Sequence, residues 1–171
     1  MKLFLVFASF LILVSRAEAT CQVNQNNIQT LVNEWKEKFY LSTLNATENE
    51  CDAIELWNTD SVNNMDRLFV SIGSDTLDFD VNLSEWNTEE VTSMSYTFHN
   101  SKFNGDISSW NTKKVRAMDH MFWGNQHFNG DISEWDVSRV SKFQAMFHST
   151  TNFNQDLNKW NGCTYGCKAV V

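Results

Sequence analysis

FNGDISSWNTKKVRAMDHMF (103–122) and FNGDISEWDVSRVSKFQAMF (128–147) are one phrase written twice. The tryptophans inside them belong to a longer series, Trp57, Trp86, Trp110, Trp135 and Trp160, at intervals of 29, 24, 25 and 25 residues. Self-similarity at such a period marks successive copies that stack and bury a shared core. The spacing predicts an α/β solenoid of about four coils, each 24–25 residues long.

The same slots can be followed along the chain. Five residues after each tryptophan stand Val62, Val91, Val115 and Val140; eight after are Met65, Met94, Met118 and Phe143; twelve after are Phe69, Phe98, Phe122 and Phe147. Seven before each later tryptophan stand Phe79, Phe103, Phe128 and Phe153, with Leu83, Ile107, Ile132 and Leu157 three before. Large apolar side chains are each worth roughly 1.5–3 kcal/mol when buried, so these columns are read as core and not as a cofactor pocket.

Within one coil, Asn111 or Thr112 can cap a short helix, because their side-chain oxygens accept free N–H groups of a first turn. The spacing of Val115, Met118 and Phe122 then keeps them on one helical face. WGNQH (123–127) reads as a turn. FNGDISEW (128–135) reads as extended, with Phe128 and Ile132 on one side and Asn129, Asp131 and Ser133 on the other. One coil is thus a short helix or helical turn plus a short parallel strand, and a chain without proline suits continuous ladders.

Ahead of the repeats, Ile28, Leu31, Val32, Trp35 and Phe39 follow the spacing of an amphipathic helix. Residues 25–41 are therefore expected to cap a first coil that would otherwise expose its core. The long first interval places extra residues in VSIGSDTLD (70–78), a loop beside the regular scaffold.

MKLFLVFASFLILVSRAEA (1–19) has the charged start, apolar centre and small-x-small end of a secretory signal peptide. The expected divisions are the leader at 1–19, an N-terminal cap at 20–49, the solenoid at 50–161 and a C-terminal cap or tail at 162–171. A secreted, extracellular product follows. Thirteen Lys and Arg against 21 Asp and Glu give a net charge of −8. With no basic cluster to neutralise phosphates, nucleic acid is an unsuitable partner.

Four cysteines, Cys21, Cys51, Cys163 and Cys167, imply disulfides in such a chain, in three possible pairings. Strands stack about 4.8 Å apart, which puts the first and last coils roughly 19 Å from one another. A disulfide needs Cα atoms within about 7 Å. The expected pairs are Cys21–Cys51 and Cys163–Cys167. Zinc at Cys163 and Cys167 lacks a second ligand pair. Asn45 and Asn82 begin glycosylation sequons.

WNTKKVRAMDHMF followed by FNGDISEW resembles the repeat of bacterial surface proteins of the BspA-like type, also found in mycoplasma lipoproteins. Residues 28–161 carry the resemblance. It implies a leucine-rich-repeat-like extracellular solenoid, surface or secreted proteins, adhesion in some members, and no enzymatic activity attached to the repeat. The chain departs from the pattern at Phe143, where Met is usual, at Gln155, where Gly is common, and at Val81-Asn82.

Asp106, Asp131 and Asp156 form a column headed by Asn82, and Asn104, Asn129 and Asn154 form another beside Asp80. Stacked carboxylates can bind Ca2+; the alternative is a solvated face, or carboxylates accepting backbone N–H groups in turns. For the asparagines, a ladder of amides is the stronger reading. His99, His120, His127 and His148 form no Ser/His/Asp or Cys/His set, and no cleft, metal or cofactor is expected. The expected function is non-catalytic recognition or adhesion, binding an extracellular protein or glycan through Asn104, Asp106, Asn129, Asp131, Asn154 and Asp156. The alternatives are a structural matrix component and a carbohydrate-binding or carbohydrate-active protein using the Asp column.

Overall fold

A computed structural model describes residues 21–41, 51, 53–73 and 79–160. The leader, the Asn45 sequon, residues 74–78 of the inserted loop, the Cys163–Cys167 pair and the tail lie outside the described residues.

Strand β1 (Gln22–Asn24) pairs in parallel with β2 (Asn58–Ser61), Gln22 against Asn58 and Asn24 against Ser61. Helix α1 (Ile28–Leu41) lies between them in sequence. The spacing placed its start at residue 25, and a turn through Asn27 moves it to 28. The Asn27 carbonyl accepts the Leu31 N–H at 2.9 Å, the first bond of the helix. Its side chain meanwhile folds back on β1, accepting the Asn24 N–H at 2.7 Å and donating to the Gln22 carbonyl at 3.1 Å. Ile28, Val32 and Trp35 form the buried face, and Trp35 and Phe39 rest on Phe79 with ring centroids 5.6 and 5.8 Å away.

Cys21 and Cys51 are bonded, as expected, with Cα atoms 5.0 Å apart. The bridge places the Cys51 carbonyl where the Trp57 indole N–H donates to it at 3.1 Å. Gln25 completes the same edge. Its Oε1 accepts the N–H groups of Asn63 and Asn64 at 3.0 and 2.8 Å. Further along, the N–H groups of Thr92, Arg116 and Ser141 take the carbonyls of Asn63, Thr92 and Arg116, one repeat back. Asn63 has no earlier repeat, so Gln25 supplies the acceptor that an earlier repeat would otherwise give.

Equivalent residues of successive repeats lie side by side. Isolated parallel bridges join Asn64 to Ser93, Ser93 to Ala117, and Ala117 to Lys142. The short helix expected after each tryptophan is replaced by a chain of turns, and Met94–Ser101 shows why. The N–H groups of Met94, Tyr96, Phe98 and Asn100 donate forward to carbonyls of Ala117, Asp119, Met121 and Trp123. Those of Thr97, His99 and Ser101 donate back three residues within their own repeat, and that of Ser95 goes to Asp66 Oδ1 at 2.8 Å. Every N–H is used, with five of the eight spent between repeats, which an α-helix cannot do.

Two residues per repeat make this path possible by adopting left-handed backbone. Ten after each tryptophan stand Arg67, Tyr96, His120 and Ala145, with φ of 61, 61, 55 and 50°. Fourteen after stand Ser71, Asn100, Gly124 and Ser149, with φ of 55, 51, 71 and 60°. Such conformations break a helix twice per repeat, while the burial spacing of Val115, Met118 and Phe122 is kept. The FNGDISEW stretch differs too: among the described residues that column has one isolated bridge, Phe79 to Phe103, and no strand.

The apolar columns form the core. Phe69, Phe98, Phe122 and Phe147 stack at 5.3, 5.5 and 5.5 Å, and Phe103, Phe128 and Phe153 stack beside them at 6.2 and 5.8 Å. The tryptophans add a polar thread. Trp86, Trp110, Trp135 and Trp160 donate their indole N–H to the carbonyls of Ile54, Leu83, Ile107 and Ile132, each in the preceding repeat, at 2.8, 2.8, 3.2 and 3.0 Å. Buried Thr59, Thr88 and Thr112 donate the other way, to carbonyls of Asn87, Asn111 and Asp136 in the following repeat. Phenylalanine and valine have no such donors, so these two columns fix the register that the rings alone would leave loose. At Gly105 a Cβ would fall 1.9 Å from the Val81 carbonyl oxygen, which explains the glycine in that phrase.

Candidate functional site

The six residues singled out in the sequence are all exposed. The structure gives most of their oxygens work inside the protein. Asp106, Asp131 and Asp156 each accept, through Oδ1, the N–H two residues on, at 2.9 Å, and Asn82 does the same for Ser84 at 2.8 Å. These are Asx turns, in which the side chain holds the bend. The Ser133 backbone and hydroxyl hold the Asp131 carboxyl below the usual carboxylate value. The asparagines form a ladder: Asn129 N–H donates to Asn104 Oδ1 and Asn154 N–H to Asn129 Oδ1, both at 2.9 Å. Gln155 Nε2 donates to the Asn129 carbonyl at 2.9 Å. Among the described residues no group of three His, Cys, Asp or Glu is placed to hold a metal ion.

A second face is built from the slots ten and thirteen after each tryptophan. The left-handed turn at the first slot carries Arg67, Tyr96 and His120 in successive repeats, and the second slot carries His99, Trp123 and His148. Their side chains meet. The Arg67 guanidinium lies 4.3 Å over the Tyr96 ring, a cation–π contact. His120 stacks on Tyr96, at 4.7 Å and 3°. Trp123 then meets His99 and His120 edge-on at 4.8 and 5.3 Å, and His148 at 5.8 Å. Arg67 and His148 are exposed and the four rings between them are half-buried.

Several polar atoms of this strip have no hydrogen-bond partner among the described residues. Trp123 contrasts with the five tryptophans of the core series, because its indole N–H bonds nothing among the described residues; the Arg67 guanidinium and Tyr96 hydroxyl share that condition. His120 Nδ1 is buried with no hydrogen-bond partner among the described residues. Burial first, then the charges of His120 and Arg67, push His99 below the ordinary histidine value. The nearby carboxylates are occupied, Asp66 by Ser93 Oγ at 2.5 Å and Ser95 N–H, Asp119 by Gln144 N–H at 3.0 Å.

His99, Trp123 and His148 share one slot along the sequence, and spacing alone does not bring Arg67 and Tyr96 beside them. A signal was available. The slot twelve after tryptophan is always Phe and the slot eight after it is Met but for Phe143, whereas those ten and thirteen after it change from one copy to the next. Core slots are constrained by packing; a slot that varies inside a regular scaffold is free for other uses.

A family model described as "Mycoplasma protein of unknown function, DUF285" matches residues 36–160, more than half of the chain. No curated protein matches the chain, and no solved structure does.

Proposed function

We infer, for a chain that belongs to this Mycoplasma protein family of unknown function, that it is a secreted, non-catalytic recognition module. In this reading the repeats are coils of a leucine-rich-repeat-like solenoid of the BspA-like kind, and the module adheres to an extracellular protein or glycan. The parallel bridges and one-repeat-back hydrogen bonds support the solenoid. The Cys21–Cys51 bond suits an oxidising compartment.

The observation that carries the recognition reading is the strip from Arg67 to His148. Tyrosine, tryptophan and arginine supply most binding hot spots, and here they gather on slots the core does not need. The Asp column is less suited to binding, since one oxygen of each carboxylate already holds a turn.

The test is capture of extracellular proteins and glycans by the oxidised, secreted chain. Combined Arg67→Ala and Trp123→Ala should abolish capture with the fold intact. Combined Asp106→Asn, Asp131→Asn and Asp156→Asn, which keeps the turn acceptors, should leave it unchanged. Capture that survives the first set and fails with the second would move the site to the Asp column.

A further inference from the structure

We propose that the strip takes an acidic segment of a partner protein, seating its carboxylates on Arg67, Trp123 and the imidazoles around them. This rests on the recognition reading and names the chemistry of the partner.

Charge segregation points to it. Across 61–71, 90–100, 114–124 and 139–149, the stretches that carry the strip, Arg67, Lys114, Arg116, Arg139 and Lys142 outnumber Asp66, Glu90 and Asp119. These stretches are net positive in a chain of net charge −8. Glu90 and Lys114 pair with one another at 2.5 Å and cancel, and Asp66 and Asp119 accept backbone N–H groups, which leaves Arg67, Arg116, Arg139 and Lys142 against two carboxylates. Charges beyond a Debye length of about 8 Å at physiological salt are screened, so the charge that counts most is Arg67, which lies in the strip itself over Tyr96.

The ring geometry separates a peptide from a sugar. A sugar stacks on a free aromatic face, and both faces of Tyr96 are covered, one by Arg67 and the other by His120. What Tyr96 has left to offer is its ring edge, the positive part of the quadrupole, together with the donors of Arg67, Tyr96 and Trp123 that have no partner among the described residues. Acceptors with negative charge complement that set. The strip crosses four repeats, or about 15 Å at strand spacing, which fits roughly five residues of extended chain.

The experiment uses the full oxidised chain and a short, labelled, end-blocked peptide of alternating Glu and Gly, followed by fluorescence anisotropy. The peptide should bind, Arg67→Ala and Trp123→Ala should each weaken it about tenfold, and raised salt should weaken it further. A peptide with Gln in place of Glu should fail to bind. Equal binding of the Gln peptide, or Glu-peptide binding indifferent to both substitutions, overturns the proposal. So does binding of a uronic-acid oligosaccharide where the peptide is silent. If the substitutions abolish capture of extracellular proteins while the Glu peptide never binds, the acidic assignment falls and the recognition reading stands. If capture ignores the substitutions, the strip itself is the wrong surface.

Discussion

Replacing Trp110 with phenylalanine asks whether the indole N–H is a tie between repeats. Trp110 is buried, donates to the Leu83 carbonyl at 2.8 Å, and stacks on Trp135 at 6.2 Å with ring planes 4° apart. Phenylalanine keeps one ring and loses the donor. The Leu83 carbonyl still accepts the Trp86 N–H at 3.1 Å, so it is not orphaned, and the lost bond contributes about 1 kcal/mol. The smaller ring leaves a void of about 40 Å3, worth about 1 kcal/mol more at roughly 24 cal/mol per Å3. Trp110→Phe should therefore destabilise the oxidised chain by about 2 kcal/mol, read as a lowered urea midpoint at constant slope. Trp123→Phe is the control. Its ring is half-buried and its N–H has no partner among the described residues, so the change should stay within about 0.5 kcal/mol. Equal effects at the two positions would refute the tie.

Three further outcomes follow from the same geometry. Ala145 has φ of 50°, where a non-glycine residue is strained by about 1–2 kcal/mol. Ala145→Gly should be neutral or stabilising by up to about 1 kcal/mol, while Ala117→Gly, on the bridge column, should destabilise by a similar amount; urea midpoints compare them. The Cys21–Cys51 bond spans 30 residues, a loop whose closure is worth about 3–4 kcal/mol in the chain-entropy account. Cys21→Ser with Cys51→Ser should lower the unfolding free energy by about that much, and an unchanged midpoint would mean that α1 holds the edge alone. His99 lies below its ordinary value of 6.5 because the fold disfavours its charged form. Its contribution to stability is present above that value and lost as pH falls through and below it. Stability should decline over that window, less steeply in His99→Gln, and parallel curves would exclude His99 as the source.

Much of the interior was legible because packing and repetition write it twice. The Val, Met, Phe and Trp columns are buried where their spacing puts them, Cys21 meets Cys51, and the apolar stripe at Ile28, Val32 and Trp35 faces the core. The helix within each repeat was misread for a physical reason. The spacing of Val115, Met118 and Phe122 is shared by a helix and by a chain of turns, and only backbone dihedrals separate them. Of the eight left-handed positions in the four repeats, Gly124 and Asn100 carry residues that favour such a conformation, and the other positions hold side chains with little sign of it. The threonine column was overlooked because Thr59, Thr88 and Thr112 look like ordinary turn residues until their hydroxyls are seen donating to the next repeat. At the surface, the Asn and Asp columns repeat and hold turns and ladders, whereas the strip draws on slots whose residue changes from one copy to the next.

That division of labour between constant and variable slots is open to one measurement. Alanine is placed singly at Arg67, Tyr96, His99, His120, Trp123 and His148, and at the tryptophan and threonine columns, and each variant is scored for both urea midpoint and capture of extracellular protein. The strip positions should reduce capture with midpoints nearly unmoved, and the column positions should lower the midpoint, with capture falling only as the fold is lost. Strip variants that capture as well as the unaltered chain, at unchanged stability, would contradict the account.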